Sequence, residues 1–183
     1  RQVGHDPHLD LAVVGGHQRL VALTDDEANL YRARQLATTA TPPLCGDQYN
    51  TVVLRRAETS SEGADIDVYL MPGATVAGQH PFGGYFRIGI DSAAGAVREV
   101  QRFTNGCLVI DEADMRRQGV RPEVLYVTQI IGDTPTEVHV FQSLSSHFRI
   151  LVVTRSGIWE VNGAVIRLLS ESDAAAALPV QPN

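Results

Sequence analysis

The chain has 183 residues, 44% of them hydrophobic and 20% charged, with a formal net charge of −6, which suits one globular domain able to bury a sizeable core without covalent staples. All 15 basic residues are arginine and they are dispersed, so no basic stripe exists to draw in a phosphate backbone, and nucleic acid is excluded as an expected partner. No apolar run approaches the ~20 residues that cross a bilayer as a helix; "LDLAVV" and "VLYVTQII" are each broken within a few positions, so no transmembrane segment is expected.

The chain opens at Arg1 without methionine or a charged-then-apolar leader, so either a signal segment has been removed or the chain has been trimmed here, and the expectation of export takes the first. "HDPHLD" then gathers His5, Asp6, His8 and Asp10, ligand types suited to Zn²⁺ or Cu²⁺. His5 and His8 are the metal candidates, but no second cluster completes a ligand pattern, so neither a bound metal nor a cofactor is expected. "LDLAVV", Gly15–Gly16 and "HQRLVAL" form a predicted hairpin, since paired glycines accept the positive φ of a tight primed turn. Thr24 followed by Asp25, Asp26 and Glu27 is a capping box, with Leu23 as a staple outside it. It starts a predicted helix over about 25–37, which "TPPL" ends because proline supplies no donor.

Downstream, "TVVLRR", "DIDVYLM", "YFRIGID", "AVREVQRF", "EVLYVTQII", "TEVHVFQSL", "FRILVVT" and "AVIRLL" alternate apolar with polar residues and are bounded by Gly, Pro, Asp or Ser, the pattern of strands. "TRSGIWEVNGAVIRLL" has the rhythm of one propeller blade, but a single unit is not an array. A turn of helix before Pro179 and a frayed tail over 173–183 are predicted. Together these give an α+β fold, a single domain over 1–183 with a predominantly antiparallel β-meander sheet, one helix near the N-terminus (about 25–37) and one short helix (about 111–118).

The short helix carries the one catalytic resemblance. "LVIDEADMRRQG" resembles the Mg²⁺-binding stretch of DEAD-box helicases, whose phosphates lie in a glycine loop closed by a lysine. The nearest such loop here, "GATVAGQH", has Gln79 and His80 where lysine and Ser/Thr belong, and the chain contains no lysine at all. No nucleotide is therefore expected. The same residues read more simply as a helix: Asp111 caps it, Glu112 and Asp114 occupy its first turn, Arg116 and Arg117 its last, and Gly119 stops it.

No Gly-x-Ser-x-Gly or His-Glu-x-x-His pattern is present. Cys107, His139 and Asp133 could supply nucleophile, base and orienting acid, but Cys107 has a second use. Cys45 and Cys107 are the only cysteines, each beside turn-forming residues in "PPLCGDQ" and "TNGCLV", and neither fits a metal or redox spacing. They are the expected disulfide, worth roughly 4 kcal/mol in the chain-entropy model, and such a bond persists in an oxidising compartment. His80, Tyr85 and Trp159 stand near glycine turns and are the candidate ligand-binding residues. The expectation is an exported bacterial protein, periplasmic or extracellular, acting as a non-catalytic binding or interaction module for a protein or small molecule. The alternative is a hydrolase using Cys107 or a metal near His5 and His8.

Overall fold

The computed structural model describes residues 9–14, 17–40, 45, 48–104, 106–119, 124–129 and 131–177. In chain order β1 (Leu9–Val14), β2 (His17–Ala22) and α1 (Asp25–Thr39) are followed by β3 (Tyr49–Arg55), β4 (Ile66–Pro72) and β5 (Gln79–Pro81). Next come β6 (Phe86–Asp91), β7 (Ala96–Arg102), β8 (Val109–Asp111), α2 (Glu112–Arg117), β9 (Val124–Thr128) and α3 (Glu137–Ser146). The order ends with β10 (Arg149–Thr154), β11 (Gly157–Asn162), β12 (Val165–Leu168) and α4 (Glu171–Ala177).

The fold is α+β and mostly antiparallel, as the alternation predicts. β1 and β2 pair antiparallel with Val14 opposite His17, the spacing of a two-residue turn; Gly15 and Gly16 lie outside the described residues. The chain groups into two compact units: residues up to Met71 with Phe86–Arg102, and Pro72–Tyr85 with the residues from Phe103 on.

In the first unit α1 begins where its cap dictates. Thr24 Oγ1 accepts from the Glu27 N–H at 3.2 Å, and Glu27 Oε2 accepts from the Thr24 N–H at 2.8 Å, satisfying orphan donors reciprocally. The buried residues of α1 are all small, Ala28, Ala33 and Ala37, and the last two pack on the sheet of order β3-β4-β6-β7. Ile66, Val68 and Leu70 alternate inward along β4, and Phe86, Ile88 and Ile90 along β6. Side chains of this size contribute roughly 1.5–3 kcal/mol each when fully buried. On the opposite face Asp67, Gly89 and Glu99 stand in register across β4, β6 and β7. The Arg56 guanidinium bonds both acids, Asp67 at 2.7 Å and Glu99 at 3.0 Å to each oxygen. A Cβ on Gly89 would stand 3.0 Å from Arg56 Nη2 and 3.1 Å from the Cβ of Glu99, so the missing side chain makes room for the guanidinium. Arg56 pulls the Glu99 carboxyl down to about 2.

In the second unit the order is β12-β11-β10-β9, with β5 and β8 forming a separate pair. β9 and β10 are parallel, the exception to the antiparallel pattern. The cause is α3, a helix where residues 136–144 alternate like a strand. Thr136 caps it, and its N–H donates to His139 Nδ1 at 3.0 Å, so a histidine does the work of the usual Glu or Gln three residues on. Its buried positions, Val138, His139, Gln142, Ser143 and Ser146, recur with helical spacing. A helix between two strands supplies the crossover that parallel pairing needs.

The buried polar face of α3 is satisfied. Ser143 Oγ donates to Phe148 O at 2.7 Å and accepts from the Gly163 N–H at 2.9 Å; Gln142 Nε2 donates to Phe82 O at 3.3 Å. The core of this unit is Phe82, Phe148, Ile150, Val152 and Val161, with Leu125, Val127, Val140 and Trp159 packed against it. α4 lies where a turn of helix was predicted, and the Tyr126 hydroxyl donates to Ala177 O. Residues 178–183 lie outside the described residues. Among the described residues no helix is long and apolar enough to cross a membrane.

Candidate functional site

The two halves of the helicase-like pattern meet in space. β5 pairs with β8 so that Gln79 faces Asp111 and His80 faces Ile110. Gln79 Nε2 donates to Asp111 Oδ2 at 3.2 Å, and His80 Nε2 lies 2.8 Å from Glu112 Oε1. Both carboxylates are already engaged in local structure. Asp111 Oδ1 accepts from the Ala113 and Asp114 N–H groups as the cap of α2, and Glu112 Oε2 takes Arg116 at 3.1 Å. The hydrogen bond from His80 is the main cause holding the Glu112 carboxyl below its usual range. Gly119, at φ 73°, follows the helix end, so "DEAD" here is a helix start. The His80 ring stands edge-on to Phe148, centroids 5.2 Å apart.

The other sequence candidates separate. Tyr85 is buried, its hydroxyl donating to Pro81 O at 2.8 Å and its ring set against Phe141. Trp159 lies in β11, between Val152 and Leu168 on the neighbouring strands, with Nε1 donating to Ser156 Oγ at 3.2 Å. Cys45 and Cys107 are both disulfide-bonded. His139 and Asp133 have different partners, Thr136 for the first and Arg155 at 2.9 Å for the second. Burial pushes His139 down to about 4, against the pull of nearby Glu137. His5 and His8 lie outside the described residues, and among the described residues no three His, Cys, Asp or Glu side chains are grouped to hold a metal.

A concave site occurs instead in the first unit, where the sequence offered no candidate. One wall is α1, through Asn29, Arg32, Ala33, Gln35, Leu36 and Thr39; the other is the end of β6 and the turn into β7, through Ile90 and residues 92–95. The cleft holds about 570 Å³. The fully buried residues of α1 are alanines, while Leu30 and Leu36 pack partly buried against the same core, and Leu36 also lines the cleft.

The turn forming the second wall is tied from below. Asp91 Oδ1 accepts from the Ala94 N–H at 2.8 Å, and Asp65 accepts from the Ser92 N–H at 2.7 Å and from its hydroxyl at 2.5 Å. Gly95 takes φ 62° to close the turn. The Ala94 N–H, then Arg98, hold the Asp91 carboxyl below the ordinary carboxylate range. Ala33 and Ile90 are buried at the floor, whereas Arg32, Gln35, Thr39, Ala93 and Ala94 are exposed around the rim. An apolar floor with a few polar groups around it suits a small ligand.

Compared with known proteins, the chain has no significant match to a family model, to a curated protein or to a solved structure.

Proposed function

We propose that this protein is a non-catalytic binding module working in an oxidising compartment, the periplasm or the surface of a bacterial cell, and that the cleft beside α1 receives its ligand. The cleft carries this reading. Its volume of about 570 Å³ falls inside the range of roughly 300–1,000 Å³ typical of small-molecule sites. Its floor is apolar and its hydrogen-bonding groups sit around the rim. The oxidised state of Cys45 and Cys107 supports the compartment. It also removes the support for a hydrolase built on Cys107, because the attacking species in such an enzyme is a thiolate.

A fragment titration followed by backbone amide NMR tests the reading. Binders are expected to shift the resonances of Arg32, Leu36, Ala93 and Ala94. Ala94→Trp, made on the exposed turn, should fill the cleft and abolish those shifts at an unchanged melting temperature. Shifts confined to other surfaces, or unaffected by Ala94→Trp, would refute the assignment. Intact mass after alkylation under denaturing conditions tests the compartment argument, with no alkylation expected until reductant is added.

A further inference from the structure

We infer that the ligand of this cleft is a small organic carboxylate with an apolar body, gripped by Arg32; this rests on the cleft being a binding site. Acidic residues outnumber basic ones in this chain, 21 to 15, and the arginines of the first unit are largely committed. Arg55 pairs with Asp26, Arg56 with Asp67 and Glu99, Arg87 with Asp67, and Arg98 with Asp91. Arg34 donates to Thr51 Oγ1, and Arg102 lies over the Phe86 ring. Arg32 differs. Its one partner among the described residues is the neutral side-chain carbonyl of Asn29, 2.8 Å from Nη1, and both residues line the cleft.

That bond orients the guanidinium without neutralising it. Four of its five N–H donors stay available in the planar fork that matches a carboxylate. No acidic side chain lines the cleft. The two acids behind the turn are occupied, Asp91 by the Ala94 N–H and Arg98, and Asp65 by Ser92. The cleft therefore presents an uncompensated positive charge at its rim. The floor makes the second demand: Ala33, Leu36 and Ile90, with Ala93 and Ala94 opposite, reward an apolar body rather than a bare, strongly hydrated anion.

Calorimetric and NMR titration with 4-phenylbutyrate, its primary amide and inorganic phosphate tests this. The carboxylate should shift the cleft resonances and bind about tenfold or more tightly than the amide, as a charge-assisted hydrogen bond supplies. Arg32→Gln should remove the preference for the carboxylate, so that acid and amide bind alike, at an unchanged melting temperature. Arg32→Lys, which keeps the charge and loses the fork, should fall between. Equal affinity of acid and amide for the unsubstituted protein would overturn the carboxylate assignment and leave a neutral-ligand cleft standing. Phosphate binding as tightly as the carboxylate would show a plain anion site and also overturn it. Failure of acid and amide alike to shift the cleft would overturn both this inference and the binding reading.

Discussion

His139 makes stability depend on pH in a direction its surroundings set. Only 8% of the residue is exposed, and burial lowers its pKa from 6.5 to about 4. Below 6.5 the unfolded chain therefore binds more protons than the folded one, and stability falls as pH drops from about 6.5 through about 4. The contribution is fully present above 6.5. The loss is about 1.4 kcal/mol at about pH 5.5 and about 3 kcal/mol at about pH 4. Protonation also places a hydrogen on Nδ1, the atom that accepts from the Thr136 N–H, so the cap of α3 is lost with it. Glutamine is an ordinary residue at this capping position and does not titrate. His139→Gln should stay within about 1 kcal/mol of the native protein at neutral pH. It should then lose about 3 kcal/mol less between about pH 7.5 and about pH 4. Denaturant unfolding followed by fluorescence reads this out, because Trp159 is the only tryptophan and packs on the core of the same unit. Subtracting the two pH profiles removes the carboxylates common to both. Parallel acid limbs in the two proteins would refute the account.

Three further substitutions probe single contacts. A Cβ on Gly83 would stand 2.0 Å from Gly106 O and 2.7 Å from Leu108 N, so Gly83→Ala should destabilise by about 3 kcal/mol or more; an unchanged melting temperature would contradict this backbone approach. Asp111→Ala removes the acceptor of the Ala113 and Asp114 N–H groups and should cost about 1 kcal/mol in denaturant unfolding, the usual worth of an N-cap. His147 ends α3 at φ 61°, so His147→Gly should raise the free energy of unfolding, read from denaturant titration, by about 0.5 kcal/mol, the relief of the left-handed conformation less the added chain entropy.

Much of what rests on neighbours a few residues apart was readable from the chain. The capping box at Thr24 and the cap at Asp111 join residues two or three positions apart, and the helices they start lie where the sequence places them. The inward alternation of Ile66, Val68 and Leu70 likewise needs only the strand period. Residues 136–144 defeated that reasoning: over so short a stretch a period of two resembles a helical one, and His139 stood where a capping box usually has Glu or Gln. With α3 unseen, the parallel pairing of β9 and β10 was unseen too. Trp159 and Tyr85 carried the chemistry of binding residues, yet how far each packs into a core depends on strands distant in sequence. Arg32 drew no notice as one arginine on an amphipathic stripe. Only the tertiary structure decided its setting, because a cleft is made of surfaces from separate segments, here α1 and residues 92–95, and the charges near it count only once the fold has shown which of them are already paired.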